Sequence, residues 1–390
     1  MKTITRLAAV CTALLSLPVS AGIKDGALEI WVDKGAESVK AIAARFTEDT
    51  GIEVTVIRSS DTPGMFDIQA PAGGGPDILF WAHDRYGDWA RSGLIQEVKL
   101  NADLRKDVID YALDAVTVDN KVYGYPIAIE AVSILYNKAL LDKAPATFEE
   151  LFELNNQLQE KHGVSAITWD YNTSYFSWPL LAANGGYPFK KTTTGYDVAD
   201  TGINHDGAKL GAKFISRLIK EGVMEKQIDY SIMDQKFIEG KTAMVINGPW
   251  YWGKLDKAGL DFGVAPLPTL NGNVAKPFVG VYGAALSSNT SNRDLAVEFI
   301  EQYLLKADSL KEYHRSGELG VLAYQSLQQE LSNDPKLAAV YDSAEQGEIM
   351  PNTPQMARFW SAVGTALSNI TSERQQVDHA LDMAAKRAVR

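Results

Sequence analysis

The stretch ALEIWVDKGAESVKAIAARFTEDTGIEVTVI, residues 27–57, contains a complete strand–helix–strand unit. The apolar segment Ala27–Asp33 predicts one strand, and the alternating segment Ile52–Ile57 predicts a second. Between them Gly51 ends a helix whose apolar residues recur at helical spacing: Val39, Ile42, Ala43 and Phe46. A series of such units predicts a sheet covered by helices, as in α/β proteins.

Similar patterns follow along the chain. A Pro- and Gly-rich loop through Gly73–Gly75 leads into a strand that ends at Trp81, and a helix closed by Gly93 comes next. Apolar strands are predicted in three later segments: GVSAITWDYNTSYF (163–176), GKTAMVINGPWYW (240–252) and FVGVYGAALSS (278–288). Helical patterns dominate from Arg293 onwards. The sequence therefore predicts an α/β fold throughout.

The amino-terminal segment has the features of a secretory signal peptide. Lys2 and Arg6 precede the apolar run Leu7–Leu17, which is too short to span a bilayer as a helix. Small residues follow, and they predict a signal peptide over residues 1–21 that is cleaved after Ala21. The alternative, an uncleaved amphipathic first helix, is disfavoured because the run has no polar face.

Charge and cysteine content argue against several classes of function. The chain has 38 basic and 49 acidic residues, a net charge of −11, and the signal peptide contributes only positive charge. An acidic chain is a poor partner for nucleic acid or for an anionic membrane surface. Cys11, the only cysteine, lies inside the signal peptide, so the secreted chain would have no disulfide and no cysteine-based nucleophile or metal site.

We expect no metal and no cofactor. The five histidines lack metal-ligand spacing, and we expect them to be structural or on the surface: His83, His162, His205, His314 and His379. Lys34 and Gly35 resemble a phosphate-binding loop only faintly, because neither GxxxxGK[ST] nor GxGxxG occurs.

Polar and aromatic side chains gather where the predicted strands end, which is where open α/β sheets bind ligands. The residues at these ends, and in one late segment, are Asp33, Lys34, Trp81, Asp84, Arg85, Glu130, Tyr175, Phe176, Trp250, Trp252, Met350 and Trp360. The apolar face of a sugar packs on an aromatic ring, at about 25 cal/mol per Å² of apolar area buried. Its hydroxyls pair with carboxylate and guanidinium groups, at roughly 1.5–3 kcal/mol for each hydrogen bond. The residues by themselves therefore suggest a carbohydrate cleft.

Several of these residues also have a purely structural interpretation. Trp81 can belong to the core, and Asp84 can cap a helix while His83 lies on the surface. Glu130 is harder to explain in this way, because a carboxylate in an apolar segment needs a partner. The residues alone leave these alternatives open.

Eight segments give the chain a closer likeness. From residue 26 to its end it resembles the bacterial periplasmic maltose/maltodextrin-binding proteins, the solute receptors of ABC importers. The densest matches, in chain order, are FWAHDR, YPIAIEA, YNKALL, YFSWPL, DYSI, TAMVINGPWYW, KPFVGV and GEIMPNTPQM. So many matches in the same order exclude chance.

The resemblance implies a two-lobed periplasmic-binding-protein fold, in which each lobe is a sheet flanked by helices. The amino-terminal lobe would comprise residues 22–128 and 284–329, and the carboxyl-terminal lobe residues 133–278 and 336–390. Hinge crossings at 129–132, 279–283 and 330–335 would join the two lobes. Sugar would bind between the lobes, which would close around it by hinge bending. The importer would then recognise the closed form.

The resemblance also implies a role for each candidate residue. Sugar rings would stack on Trp81, Tyr175, Trp250 and Trp360. Hydroxyls would bind to Asp33, Lys34, Asp84, Arg85 and Glu130. The cleft would be lined further by Ala82, Phe176 and Met350. His83 would point away from the sugar, and Tyr86 and Trp89 would pack the following helix. Such a protein is a periplasmic, monomeric receptor rather than an enzyme, and its partners are a maltodextrin and the permease subunits of an importer. Whether a chemoreceptor also recognises the closed form is left open.

The chain departs from the family pattern at several positions along the groove. Pro63 and Gly64 stand where the family has two acids, and Thr173 and Ser174 stand where it has a Glu-Pro pair. Ser361 replaces a Tyr, and Gly364 replaces an Arg. Each lost charged hydrogen bond costs about 1.5–3 kcal/mol, or roughly tenfold and more in affinity. The preferred chain length and linkage therefore stay open, and trehalose or another disaccharide is an alternative ligand.

A glycoside hydrolase is the alternative from a different class of function. It needs two carboxylates about 5–10 Å apart, one of them with a pKa raised by an apolar setting. Asp84 beside Arg85, and Asp33 beside Lys34, should stay ionised if these bases approach them, which favours binding over acid catalysis. A passive structural protein would not explain aromatic and charged residues at so many strand ends.

Overall fold

The computed structural model describes residues 24–193, 195–317 and 319–390, so the predicted signal peptide and its cleavage site lie outside the described residues. The strands, in chain order, are β1 (Ala27–Val32), β2 (Glu53–Arg58), β3 (Ile78–Ala82), β4 (Thr117–Val118), β5 (Lys121–Val122), β6 (Tyr125–Glu130), β7 (Ser133–Asn137), β8 (Ser165–Thr168), β9 (Lys190–Thr192), β10 (Gly195–Asp197), β11 (Thr242–Asn247), β12 (Phe262–Ala265), β13 (Thr269–Leu270), β14 (Asn273–Val274), β15 (Phe278–Leu286), β16 (Val321–Leu322) and β17 (Glu348–Ile349).

The α-helices are α1 (Ala36–Thr50), α2 (Thr62–Gln69), α3 (Tyr86–Arg91), α4 (Ala102–Asp107), α5 (Asp110–Ala115), α6 (Leu151–His162), α7 (Ser174–Ala182), α8 (Asp206–Lys220), α9 (Tyr230–Ile238), α10 (Trp252–Lys257), α11 (Arg293–Glu298), α12 (Ala307–Arg315), α13 (Gln325–Leu331), α14 (Pro335–Gln346), α15 (Met356–Thr371) and α16 (Val377–Ala388). Short 3₁₀ turns lie at Ala70–Ala72, His83–Arg85, Phe148–Glu150 and Pro249–Tyr251, and Phe299–Leu304 is a π-helical segment.

Seven strands of the described chain form one mixed sheet, the large sheet, in the order β16-β6-β15-β3-β1-β2, with β17 paired to the start of β15. Strand β1 runs parallel to β2 and β3, whereas β15 runs antiparallel to β3 and β6. Four further described strands form the small sheet, in the order β12-β7-β11-β8. Helices α1 and α2 pack against the large sheet, and α6, α9 and α14 pack against the small one. The predicted α/β class, with sheets flanked by helices, is confirmed.

The opening strand–helix–strand unit forms as predicted. Helix α1 buries its apolar face, which includes Val39, Ile42 and Phe46. It ends at Gly51, whose φ of 74° is a left-handed conformation and whose N–H donates to the carbonyl of Thr47 at 2.8 Å. Glycine reaches this conformation without a Cβ clash, which explains the sharp stop.

One detail of the sequence prediction is wrong. The region before Gly73 begins as helix α2 rather than as loop, because Asp61 caps its amino terminus by accepting from the N–H of Gly64 at 3.1 Å. Pro63 is tolerated there, since the first turn of a helix has N–H groups without intrahelical partners. Helices dominate from Arg293 onwards, as predicted, and the short strands β16 and β17 lie between them and add to the large sheet.

The chain passes directly from one sheet to the other. Strand β6 ends in the large sheet at Glu130, and β7 begins in the small sheet at Ser133, so Ala131 and Val132 join the two. The chain later returns from β12 in the small sheet to β15 in the large sheet. The ends of strands from both sheets therefore face a common space.

Candidate functional site

A cleft of about 1010 Å³ lies between the two sheets, and we call it the cleft from here on. It is lined from the large sheet by β3, β6 and β15, and from the small sheet by residues that follow β8 and β11. The structure brings all twelve predicted site residues to its surface: Asp33, Lys34, Trp81, Ala82, Asp84, Arg85, Glu130, Tyr175, Phe176, Trp250, Met350 and Trp360. Their roles in binding stay predictions, but their convergence from distant segments is observed.

A buried ion pair joins the first strand to the crossing segment. Lys34 Nζ lies 2.5 Å from Glu130 Oε1 and 2.7 Å from Oε2, and both side chains are buried. Burial raises the pKa of Glu130, and the Lys34 ammonium opposes that rise. The partner that a carboxylate in this apolar segment requires is therefore Lys34, which pairs with Glu130 rather than with its neighbour Asp33.

Asp33 is held by a different group. Its Oδ1 accepts a hydrogen bond of 2.7 Å from the hydroxyl of Tyr282, which lies in the middle of β15. The ammonium of Lys34 also lies 4.0 Å from the centroid of the Tyr282 ring. This arrangement fixes Asp33 at the wall of the cleft, where its second oxygen can accept from a ligand hydroxyl.

Asp84 contacts the opposite side of the cleft. It lies in the 3₁₀ turn His83–Arg85 and accepts a hydrogen bond of 3.1 Å from Trp360 Nε1. Burial raises the pKa of Asp84 to about 6, while the Trp360 hydrogen bond and the Arg85 charge act in the opposite direction. The interpretation of Asp84 as a helix cap is wrong. Its proximity to Arg85 does not lower its pKa below the ordinary value either, because desolvation is the larger effect.

Arg85 pairs with Asp67 of α2, not with Asp84. Its guanidinium also lies 5.9 Å from the centroid of the buried Trp89 ring. Within the described part of the chain, the Nε of Arg85 is buried and has no hydrogen-bond partner. A buried donor without a partner is costly, so a hydroxyl that accepted from it would be stabilised there.

An aromatic cluster forms the wall on the side of the small sheet. The Tyr175 ring lies 5.7 Å from Phe176, 5.9 Å from Trp250 and 6.3 Å from Trp360, measured between ring centroids. Tyr175, Trp250 and Trp360 are half-buried, as is Trp81 on the opposite side. Trp81 therefore lies at the cleft surface rather than in the core.

Tyr175 and Phe176 reach the cleft by a different route from the one predicted. They do not end strand β8, which stops at Thr168, but lie in the first turn of helix α7. The residue that does follow β8 closely is Asp170, which lines the cleft and was missed. Its position just beyond a strand end was a signal that could have found it.

Other cleft residues were also missed by sequence reasoning. They include Arg58, Tyr230, Tyr282, Lys254 and Lys257. Tyr282 belongs to an apolar strand, and that pattern predicts a core residue. Only the pairing of strands in the large sheet places it beside Asp33. Tyr230 begins α9 within DYSI, one of the segments that carry the family resemblance, but no role was predicted for it.

His83 is structural, so of the two positions expected for it the buried one is observed and the surface one is not. The ring is fully buried; its Nδ1 accepts from the Val281 N–H at 2.9 Å, and its Nε2 donates to the Met350 carbonyl at 2.8 Å. Burial lowers the pKa of His83 to about 4, so the neutral ring ties the 3₁₀ turn to two other segments of the cleft. Tyr86 and Trp89 are fully buried, as expected for residues that serve the fold.

Four of the six substituted positions line the cleft or a smaller groove beside it. Pro63 and Thr173 line the cleft itself. A side groove of about 300 Å³ adjoins it, lined by Asn172, Thr173, Ser174, Tyr175, Trp360 and Gly364. A Cβ on Gly364 would lie 3.3 Å from the Asn172 carbonyl oxygen, so a methyl group nearly fits and a larger side chain would extend into the groove.

Within residues 24–193, 195–317 and 319–390, no group of three or more His, Cys, Asp or Glu side chains could hold a metal ion. No helix in the described part of the chain is both long and apolar enough to span a membrane.

A cleft between two sheet-based lobes, lined by aromatic rings and by carboxylates already held in place, defines a two-lobed solute-binding protein. The chain belongs to the family of bacterial extracellular solute-binding proteins, whose sequence model matches residues 33–309. It is 29% identical to a galactooligosaccharide-binding protein of Bacillus subtilis (strain 168), over 97% of this chain and 93% of the relative. It is also 29% identical to the maltodextrin-binding protein MdxE of the same organism, over 87% of this chain and 83% of that relative. The chain is 30% identical to a maltotriose-binding protein of Pyrococcus abyssi, over 84% of this chain and 72% of that relative.

Proposed function

We propose that the protein is a periplasmic receptor that captures maltose and maltodextrins by hinge closure and delivers them to the permease subunits of an ABC importer. The observation that carries this proposal is the convergence of the four predicted aromatic platforms with the carboxylates of Asp33, Asp84 and Glu130 on one cleft between two sheets. Ring faces and paired hydrogen-bond acceptors suit the two kinds of surface that a glucose unit presents.

The relatives support a sugar as ligand but do not agree on which sugar. Two of the three relatives are described as binding maltodextrin or maltotriose, and the third as binding galactooligosaccharide. All three are about equally similar to this chain, so similarity alone does not choose among them. The substitutions at Thr173, Ser361 and Gly364 make trehalose or another disaccharide the alternative ligand.

We propose lobes of residues 22–128 with 284–329 and of residues 133–278 with 336–390, joined at 129–132, 279–283 and 330–335. Strand pairing supports this division, because β1, β2, β3 and β6 belong to the large sheet and β7, β8, β11 and β12 to the small one. Strand β15 pairs with β17 at its start and with β3 at its end, as expected of a strand that spans a hinge. The third crossing covers the end of α13, the turn after it and the start of α14.

We propose that residues 1–21 direct export and are removed after Ala21, and that the exported protein acts as a monomer in the periplasm. The extracellular family to which the chain belongs supports export. Recognition by a chemoreceptor is not part of the proposal, since no residue of the chain argues for it.

We propose a binding role without catalysis. Asp33 accepts from Tyr282 and Glu130 is paired with Lys34, so both carboxylates are held as acceptors rather than as proton donors. The raised pKa values of the cleft carboxyls Asp84, Glu130 and Asp170 are what favours a glycoside hydrolase. Incubation with maltotriose and assay for released glucose distinguishes the two: we expect intact trisaccharide, and steady release of glucose would overturn the assignment.

Intrinsic tryptophan fluorescence tests the ligand. Trp81, Trp250 and Trp360 line the cleft and should report a sugar directly. We expect a saturable response in the micromolar range to maltose, maltotriose and a longer maltodextrin. A response to trehalose or to a galactooligosaccharide alone would keep the receptor function and change the ligand, and no response to any of these sugars would refute the proposal.

A further inference from the structure

The two proposed lobes contribute unequal numbers of acids to the cleft. Asp33 and Asp84 belong to the proposed amino-terminal lobe, and Glu130 lies at a proposed hinge crossing. Asp170, just beyond β8, is the only acid that the described part of the proposed carboxyl-terminal lobe contributes to the lining. The rest of the wall on that side consists mainly of aromatic rings, so a sugar held between the lobes meets a single carboxylate there.

The Asp170 carboxylate is held by its own turn. The Thr173 hydroxyl donates to Asp170 Oδ2 at 2.6 Å, and the Thr173 N–H donates to Oδ1 at 3.4 Å. Burial raises the pKa of Asp170, and both hydrogen bonds oppose the rise, as does a smaller contribution from the Asn172 N–H. A carboxylate has about four acceptor positions, so Asp170 can still accept from a ligand hydroxyl.

The neighbours of Asp170 fix its position from both sides. Trp169 and Tyr171 are buried, whereas Asp170 between them is half-buried and lines the cleft. Ser177 joins the two neighbours, because its Oγ accepts from Trp169 Nε1 at 3.0 Å and donates to the Tyr171 carbonyl at 2.7 Å. Asp170 is therefore in place before a ligand arrives, which lowers the entropy cost of binding to it.

Asp170 also lacks a compensating cation. Among the residues that the structure describes, no Lys, Arg or His nitrogen lies within 4.0 Å of its carboxylate, in contrast to Glu130, which pairs with Lys34. A half-buried carboxylate is stabilised by each further donor that approaches it. The hydroxyls of a bound sugar are donors of this kind.

Thr173 links this carboxylate to the side groove. It is exposed, and it lines both the cleft and the side groove. It also stands where the family pattern has an acid, so this chain has a hydroxyl at that position and the Asp170 carboxylate three residues earlier. The pair Asp170–Thr173 therefore returns an acid to the place where the cleft meets the side groove.

We propose that Asp170, positioned by Thr173, accepts a hydrogen bond from a hydroxyl of the sugar unit that lies where the cleft meets the side groove. The inference rests on the proposed function, because it requires a sugar in the cleft. A sugar that lacks this hydroxyl leaves the half-buried carboxylate without its partner, so the site discriminates against it. Asp170 is thus a specificity-determining residue contributed by the proposed carboxyl-terminal lobe.

Calorimetric titration of the wild type and of Asp170→Asn tests the proposal, with maltotriose and a panel of maltotrioses that each lack one hydroxyl. We expect one deoxy sugar to bind the wild type about tenfold more weakly than maltotriose, because a charged hydrogen bond is lost. Asp170→Asn should bind maltotriose about tenfold more weakly, and the same deoxygenation should then cost it about twofold or less. A purely structural role in the turn before α7 would weaken binding of every sugar by the same factor.

Asp229→Asn is the matched control. Asp229 is exposed, does not line the cleft, and caps α9 by accepting from the Ile232 N–H at 2.8 Å, a role that Asn also fills. Its charge acts on Asp170, so the control removes a nearby charge without removing the contact. We expect its affinity for maltotriose to stay within about twofold of the wild type, and a tenfold loss would contradict a contact-based role for Asp170.

Thr173 variants test the positioning role. Thr173→Val removes the hydroxyl that holds Asp170 and should reduce the penalty for the deoxygenation, whereas Thr173→Ser keeps a hydroxyl and should restore it. A full penalty in Thr173→Val would show that Thr173 does not position the carboxylate. Thermal unfolding of each variant verifies that the fold is intact.

The possible outcomes separate this proposal from the proposed function. An Asp170→Asn variant that binds maltotriose as tightly as the wild type, or that weakens every sugar equally, refutes the role of Asp170 while the receptor function stands. Binding of trehalose or a galactooligosaccharide without binding of maltotriose refutes the proposed ligand, and the same comparison with deoxy forms of the bound sugar then decides the role of Asp170. Absence of binding to all of these sugars refutes both proposals.

Discussion

Trp250 is the single side chain on which binding should depend most. It is half-buried at the cleft wall, 5.9 Å from the Tyr175 ring, and lies over Gly248, where a Cβ would come within 2.1 Å of the indole. Trp250→Ala should abolish detectable maltotriose binding because it removes a sugar platform, while the midpoint of urea unfolding changes little. Trp252→Phe alters a neighbouring tryptophan outside the cleft and should keep binding. Retained affinity in Trp250→Ala would overturn the placement of the platform.

His83 should titrate far below an ordinary histidine. Its folded pKa of about 4 lies below the ordinary value of 6.5, so the folded state binds fewer protons than the unfolded state between these values. The contribution of His83 to the free energy of unfolding is therefore complete above pH 6.5 and is lost as the pH falls towards 4. We expect NMR titration to show a neutral His83 ring down to about pH 4, and a midpoint above pH 6 would contradict the buried bridge.

At the scale of elements, the ion pair between Lys34 and Glu130 joins the end of β1 to the end of β6. Both side chains are buried, so Glu130→Gln would leave the Lys34 ammonium without a compensating charge. We expect the free energy of unfolding to fall by about 3 kcal/mol or more, measured by urea denaturation. Lys34→Met combined with Glu130→Met should recover much of this loss, because it removes both charges. A single Glu130→Gln variant as stable as the wild type would show that the pair is not desolvated.

Helix α15 tests the side groove. Gly364→Tyr should fill the space beside Trp360 and weaken binding of a longer maltodextrin at least tenfold, while maltose binding is retained, because the groove lies outside the central cleft. Gly364→Ala is the matched control, since its Cβ would lie 3.3 Å from the Asn172 carbonyl and 3.6 Å from Ser174 Oγ. Equal affinities of Gly364→Tyr and Gly364→Ala for every chain length would exclude the groove from the binding site.

The elements differ in how well the sequence predicts them. The unit from β1 to β2 was predictable, because its apolar spacing and Gly51 act locally. Helix α2 was missed because Pro63 and Gly64 are typical of loops, and only the Asp61 cap makes them the first turn of a helix. Long-range pairing was also beyond the sequence: Lys34 and Glu130 are 96 positions apart, so only the tertiary fold shows that they are partners.

The same limit applies to the site. The residues that follow strands were found because open sheets place their ligands there. Tyr282 was missed because it lies inside a buried strand, and Arg58 because an exposed arginine at a strand end is usually a solvated side chain. The resemblance supplied the roles of the aromatic residues, whereas the structure supplied the contacts that hold the carboxylates in place.

At the scale of the whole molecule, side chains from the two proposed lobes already touch across the cleft. Trp360 donates to Asp84, and the Lys34 ammonium lies 5.3 Å from the centroid of the Trp250 ring. A sugar that enters the cleft would compete for these same groups and supply hydroxyls in their place. Ligand would favour closure only by the difference in its affinity for the closed and open forms.

A crystal structure of the protein with maltotriose tests the central claim most directly. We predict one trisaccharide in the cleft, with sugar faces against Trp81 and against the Tyr175, Trp250 and Trp360 cluster, and with hydroxyls on Asp33, Asp84 and Glu130. A sugar bound elsewhere on the protein, or a cleft that contains only water at saturating maltotriose, would contradict the account.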